Sequence, residues 1–289
     1  MENLTDQKIR ELEIKANDIR ESIIEMLLEA KSGHTAGPLG MTDIFTLLYF
    51  NTLRHDSSRP DWKDRDRLVL SNGHIAPVLY ATMAHAGYMP IKELLSLRKF
   101  GSRLQGHPHR EFMPWLETSS GPLGSGLSQA VGMALADRID YGVGTDKTIY
   151  AMLSDGEHNE GNTWEGVMLA GKEKLRNLIA IVDRNNIQID GYTEDVMPLG
   201  DMTRKYEEFG WHAQEVDGHN FRDINDAIGK AKAIYDKPSV IIARTIPGKG
   251  VKEFERDYHW HGKAPNKEEA DMALKELRTL GGKIKSEHE

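Results

Sequence analysis

Two hydrophobic rhythms alternate along the chain. Ile9, Leu12, Ala16, Ile19, Ile23 and Leu27 recur at three- and four-residue spacing. This predicts a long first helix, capped by Thr5 or Asp6 and ending near Ser32-Gly33, with a loop at Gly37-Pro38. Thr42 restarts a helix through Ile44, Phe45, Leu48 and Tyr49. Short apolar runs at 68–70, 149–153, 178–182, 212–216 and 239–245 have the length and composition of buried strands. Helical stretches separate them at 75–86, 90–99, 124–141, the segment after Asp155, about 203–208, and 221–235. A last helix runs from near Asn266 to Gly281-Gly282. Strands alternating with helices predict an α/β fold, a mostly parallel sheet with helices on both faces. No linker, repeat or low-complexity segment divides the chain, so the reading is one domain over 1–282 with a tail at 283–289.

Composition removes several classes of function. The absence of cysteine among 289 residues excludes disulfides, thiolate zinc sites and thiol nucleophiles. No apolar stretch approaches the ~20 residues of a membrane span, so a soluble cytoplasmic protein without a membrane partner is expected. The net charge of -8, without a long basic run, argues against nucleic acid.

The segment from Ser154 to Ile187 carries the sharpest chemistry. One apolar run ends in Asp155-Gly156 and the next in Asp183-Arg184-Asn185-Asn186, with a helical stretch between. Parallel strands joined by a crossover helix bring their C-terminal ends to one edge of a sheet, so Asp155 and Asn185 can meet. A carboxylate, an amide oxygen and a backbone carbonyl are hard ligands for a divalent cation. Gly156 lets the backbone approach what that cation carries, as a phosphate group would require.

Glycine stands beside histidine in four loops at strand ends: Gly33-His34, Gly73-His74, Gly106-His107 and His261-Gly262. Each alone reads as a polar turn, whereas four together favour a cleft where imidazoles donate to hydroxyls or move protons. Gly218-His219 reads as an ordinary turn before a helix. His85 and His212 read as packing or surface residues, and His158 carries no signal of its own. Gly121-Pro122-Leu123-Gly124-Ser125-Gly126 opens a helix and suits either an anion or a flat ring, although such helix entries are common. Glu157-His158-Asn159-Glu160 reads as a solvated helix start, Glu165 as a residue complementing the helix dipole, and Lys249 as either an anion partner or an exposed cation.

With these residues in view, the chain resembles the N-terminal, diphosphate-binding domain of the transketolase family from about Ile9 to Pro265. The resemblance rests on SGHTAGPLGM (32–41), DRLVLSNGH (66–74), GSRLQGHP (101–108), SGPLGSGLSQAVGMALA (120–136), DGEHNEGNTWE (155–165), LIAIVDRNNIQIDG (178–191) and WHG (260–262). It implies the thiamin-diphosphate-binding fold and a coenzyme that acts as an electron sink. Asp155, Asn185 and the Ile187 carbonyl would hold Mg²⁺, or Ca²⁺ or Mn²⁺, on the diphosphate, and Gly156 would contact the diphosphate. His34, His74 and His261 would surround the diphosphate and the reacting carbons. His107 would bond the transferred ketol fragment, and Gly121 and Leu123 would lie against the aminopyrimidine. Glu160 would join the subunit contact that links two cofactors.

Two departures from the family pattern stand out. Ser154 replaces the first glycine of Gly-Asp-Gly. The second domain, which supplies the pyrimidine-activating glutamate and the sugar-phosphate arginines, does not follow. The resemblance therefore implies the N-terminal subunit of a split transketolase, inactive without a C-terminal subunit carrying the pyrimidine-binding domain, in a dimer of heterodimers, with sugar phosphates as substrates. An apiose-derived or sulfonated ketose, a non-catalytic paralogue and a metal-dependent phosphohydrolase are the competing readings.

Overall fold

The structure is a computed structural model and describes residues 4–280 apart from Val143. The expected tail at 283–289 lies outside the described residues. Helix α1 (Asp6–Ala30) starts at Thr5, whose hydroxyl accepts from the Lys8 amide at 3.2 Å, and stops at Lys31 in the left-handed region. Its predicted stripe of Leu12, Ala16, Ile19, Ile23 and Leu27 is buried.

A short helix, α2 (Ala36–Gly40), stands where a loop was expected. Pro38 falls in its first turn, where no intrahelical partner is needed for the missing N–H, so proline does not prevent a helix there. Then come α3 (Thr42–Leu47), a π turn at Leu48–Thr52, β1 (Arg67–Leu70), α4 (Ala76–His85) and a 3₁₀ segment at Ile91–Ser96. After α5 (Ser125–Tyr141), the unit β2 (Ile149–Ser154), α6 (Gly161–Glu173) and β3 (Leu178–Arg184) forms as predicted. The loop expected after β3 contains a two-residue hairpin, β4 (Ile187–Gln188) with β5 (Gly191–Tyr192), and a single turn, α7 (Thr193–Val196). Next are α8 (Met202–Glu208), β6 (His212–Asp217), α9 (Phe221–Ala233), β7 (Ser239–Arg244) and α10 (Lys267–Leu280).

The main sheet has five strands in the order β1-β2-β3-β7-β6, and every pairing is parallel. Its strands alternate between two cores. Tyr150, Met152, Ile179, Ile181 and Ile241 face the core formed with α1, α3, α4, α9 and α10. Ile149, Ala151, Leu153, Ala180, Val182 and Ile242 face the core formed with α5, α6 and Tyr206 of α8. Burial of each such side chain contributes about 1.5–3 kcal/mol, so the sheet is held on both faces. All five strands therefore end at the same edge, and the candidate residues gather there.

Candidate functional site at the carboxyl edge of the sheet

Strands β2 and β3 pair with Ser154 opposite Asp183, and the Asp155 amide continues the ladder to the Asp183 carbonyl at 3.1 Å. Asp155 is buried. Its Oδ1 accepts from the Gly156 amide at 2.7 Å, and its Oδ2 accepts from the Asn186 amide at 2.7 Å and Arg184 Nη1 at 2.9 Å. Burial raises the Asp155 carboxyl above the usual range, with the Arg184 guanidinium opposing the rise. The tips of β2 and β3 do meet, as the spacing implied, and the direct bonds run from Asp155 to the backbone and arginine of the β3 loop.

Asn185 is oriented by its neighbours. Its Nδ2 donates to Asp183 Oδ2 at 2.8 Å, and its Oδ1 accepts from the Ile187 amide at 3.0 Å while keeping a second lone pair. The Thr245 hydroxyl donates to the other Asp183 oxygen. Burial, reinforced by nearby Asp155, pushes the Asp183 carboxyl up to about 7. The hard oxygens available here are the free side of the Asp155 carboxylate, Asn185 Oδ1 and the Ile187 carbonyl. The described residues contain no group of three or more His, Asp or Glu side chains arranged to hold a metal.

His34, His74 and His261 arrive from three separate loops and form a triangle, with ring centroids 5.1, 5.2 and 5.3 Å apart. Burial, with mutual repulsion as the lesser cause, lowers His34 to about 3 and takes His74 well below its ordinary value; burial alone lowers His261 to about 4. All three are neutral at pH 7, each ring offering one donor and one acceptor. His107 lies within electrostatic reach of His34 and His74, its Cβ and Cγ each 3.9 Å from where a side chain on Gly121 would begin. Arg98 links its loop to that of His34: its Nη1 donates to Ser32 Oγ at 3.1 Å, and Gly106 lies against the guanidinium. Exposed Ile189, on the β4–β5 hairpin, lies beside Gly262 near His34. Nothing in the linear pattern marks either Arg98 or Ile189.

The glycine entrance to α5 needs its glycines. Gly121 and Gly124 have φ of 152° and 80°. Gly73 abuts the Gly121 amide, 3.0 Å from where its Cβ would be. Glu157 and His158 are fully buried, so the reading of 157–160 as a solvated helix start holds only for exposed Asn159 and Glu160. A 3₁₀ turn at Gly156–Asn159 points both side chains inward. Glu157 accepts from the Ser71 hydroxyl, the Gly124 amide at 2.5 Å and the Ser154 amide at 3.0 Å. His158 is bonded at 2.8 Å to the Ser154 carbonyl and at 2.8 Å to the Tyr206 hydroxyl. Glu160 and Glu165 are exposed, and Leu123 is half-buried.

His219 does sit in the turn before α9, as expected, but it is buried there, with Nδ1 on Asp43 Oδ2 at 2.7 Å and Nε2 accepting from the Ile246 amide at 2.7 Å. Lys249 is buried, so it is not an exposed cation.

Buried polar atoms normally find partners, yet at this edge His34 Nδ1, both amide atoms of Asn72, Ser120 Oγ and Gln188 Nε2 find none within the protein. Gln188 lies beside Gly156, its Cβ 3.7 Å from where a Gly156 side chain would begin. Unused donors next to a glycine, opposite hard oxygens, fit a polar, phosphate-bearing group with a divalent cation.

Comparison with known proteins gives the same direction. The profile of the family described as transketolase, thiamine diphosphate binding domain matches residues 12–283. The chain is 40% identical over 278 residues to the 6-deoxy-6-sulfo-D-fructose transketolase subunit SqwG of Clostridium sp. (strain MSTE9), covering 96% of this chain and 100% of that protein. It is 36% identical over 281 residues to an apulose-4-phosphate transketolase subunit of Phocaeicola vulgatus, covering 97% and 99%. Against the transketolase of Rattus norvegicus it is 39% identical but spans only 42% of that protein. The crystal structure of transketolase from Campylobacter jejuni superimposes with a TM-score of 0.86 at 34% identity, over 92% of this chain and 42% of that one. The chain belongs to the transketolase family, as its thiamine diphosphate-binding domain.

Proposed function

We propose that this chain is the N-terminal subunit of a split transketolase. It would transfer a two-carbon ketol unit from a ketose to an aldose acceptor with thiamin diphosphate and a divalent cation, Mg²⁺ or else Ca²⁺ or Mn²⁺. The observation that carries the reading is the meeting of Asp155 with the Asn185–Ile187 loop at one edge, whose hairpin places Gln188 beside Gly156 and Ile189 beside Gly262 near His34 of the His34, His74 and His261 triangle. Asp155, Asn185 Oδ1 and the Ile187 carbonyl hold the cation, and the Gly156 backbone receives the diphosphate. Gly121 and Leu123 offer a flat apolar ledge to the aminopyrimidine. When bound, the coenzyme supplies an electron sink for the carbon–carbon cleavage. The protein's own part is to orient, to exclude water and to manage protons. His34 and His261 are neutral and hydrogen-bond sugar hydroxyls as donor or acceptor, and His107 holds the ketol fragment. Exposed Glu160 meets a second subunit.

A separate C-terminal subunit with the pyrimidine-binding domain would complete the site, in a dimer of heterodimers; the support is that two relatives matched over nearly their whole length are named as transketolase subunits. The domain reading of 1–282 and the cytoplasmic location belong to the same proposal; no helix among the described residues is long and apolar enough to cross a membrane. The sugar is open between an ordinary ketose phosphate and a sulfonated or apiose-derived one, because two relatives that match over their whole length are named for such sugars. Calorimetry with thiamin diphosphate and Mg²⁺ should show binding that Asp155→Ala abolishes, which a non-catalytic paralogue without a coenzyme site would not give. Ketol transfer should appear only when the partner chain is added, and full activity of the isolated chain would refute the split site.

A further inference from the structure

We infer that Glu157 is a positioning residue, whose buried carboxylate sets the mutual register of the three loops that form the diphosphate end of the site. The inference rests on the reading proposed above. Its carboxylate accepts from three separate places: the Ser71 hydroxyl at the tip of β1, the Gly124 amide at the entrance to α5, and the Ser154 amide at the tip of β2. Each of these adjoins candidate cofactor residues: Ser71 precedes His74, Gly124 follows Gly121 and Leu123, and Ser154 precedes Asp155 and Gly156.

Two further bonds extend the hub. The Ser71 oxygen also accepts from the Gly126 amide at 3.0 Å, and the Thr163 hydroxyl donates to the Glu157 carbonyl at 2.9 Å, fixing the first turn of α6. Glu157 is fully buried and so touches no solvent itself. It acts through the loops, as outer-shell partners do when they hold ligating groups in place.

A carboxylate is needed, and an amide does not replace it. All three partners are donors, two on one oxygen and one on the other. Glutamine has the same volume but only one acceptor oxygen, so in either orientation its NH₂ faces a donor. Glu157→Gln therefore separates one loop from the other two without opening a cavity.

The test uses the full chain titrated calorimetrically with thiamin diphosphate in excess Mg²⁺. Wild type, Glu157→Gln, Ser71→Ala and the double variant are compared, with ¹⁵N-glycine spectra of each. Glu157→Gln should bind about 10- to 100-fold more weakly. Ser71→Ala should also weaken binding, and the double variant should be no weaker than Glu157→Gln, because both act through one carboxylate. In wild type the coenzyme should shift the amides of Gly121, Gly124, Gly126 and Gly156 together, and in Glu157→Gln at least one should drop out of that group. A Glu157→Gln chain with wild-type affinity and wild-type glycine shifts overturns the inference while leaving the coenzyme reading intact. A wild-type chain that binds no coenzyme even with its partner subunit present overturns the reading itself. Should Glu157→Gln fail to fold, Ser71→Ala decides alone: unchanged affinity there overturns the inference.

Discussion

Arg184 at the tip of β3 donates from Nη1 to Asp155 Oδ2, 2.9 Å away at the tip of β2, and its Nη2 reaches Glu194. A guanidinium thus shares the carboxylate proposed to hold the metal. Arg184→Met would leave the buried Asp155 charge with backbone donors alone. Loss of one partner of a buried pair costs about 3–5 kcal/mol. Urea unfolding of the cofactor-free chain should show a loss of that order, and a smaller one when Mg²⁺ and thiamin diphosphate are present, because the cation then offsets the same charge. Equal losses in both conditions would remove Asp155 from the metal site.

The pH dependence follows from the buried imidazoles. Unfolded histidine takes up a proton near pH 6.5, whereas folded His34 and His261 resist until about 3 and about 4. Below pH 6.5 the unfolded chain therefore binds more protons, and stability falls as pH drops towards 4. Asp183, raised to about 7, works the other way: its contribution is full below the unfolded value of 3.8 and is lost as pH rises through 7. Seven lowered imidazoles (His34, His74, His85, His107, His158, His212 and His261) outnumber the four raised carboxyls (Asp155, Glu157, Asp183 and Asp223), so the histidine slope should dominate between pH 4 and 6.5. Urea midpoints across that window should fall with acid, and His261→Gln should flatten the slope by about one proton, roughly 1.4 kcal/mol per pH unit.

Helix α5 offers a paired test of close approach. A Cβ on Gly126 would meet the Ser71 backbone Cα at 2.6 Å, whereas one on Gly132 in the same helix meets nothing within 4 Å. Gly126→Ala should cost about 1–3 kcal/mol by overpacking and weaken coenzyme binding through the β1 tip. Gly132→Ala should stabilise the chain by up to about 1 kcal/mol through helix propensity. Thermal unfolding of the two variants checks the contrast.

What could be read from the linear pattern was whatever depends on local rhythm and parallel topology. Two apolar runs separated by one helix suffice to bring Asp155 and Asn185 to adjacent strand tips, and the glycines beside His34, His74 and His261 mark three loops whose imidazoles lie together. Glu157 was misread because polarity along four residues looks like solvation, while its partners lie 86 and 33 residues away in sequence. The burial of His219 within its expected turn was illegible for the same reason, since its carboxylate is on α3, 176 residues distant. Long-range polar contacts leave no periodic trace, and the β4–β5 hairpin is too short to leave one.

The Arg20–Asp43–His219 group gives the last expectation. Arg20 is almost fully buried and grips Asp43 with two arms, at 3.0 and 2.7 Å. Burial works against the Asp43 charge, but Arg20 and His219 together hold its carboxyl down at about 2. Its stability contribution is therefore present above pH 3.8 and is lost only as pH falls through about 2. His219 passes the constraint on, its Nε2 holding the Ile246 amide at the start of the loop that leads to His261. Asp43→Asn leaves a guanidinium buried without its counter-charge and should cost about 3–5 kcal/mol. Arg20→Met with Asp43→Leu removes both charges together and should recover much of that loss. If Asp43→Asn unfolds in urea like wild type, the pair does not carry the stability assigned to it. If the double variant regains stability but coenzyme affinity stays low, the group's second role is the placement of Ile246 and the His261 loop.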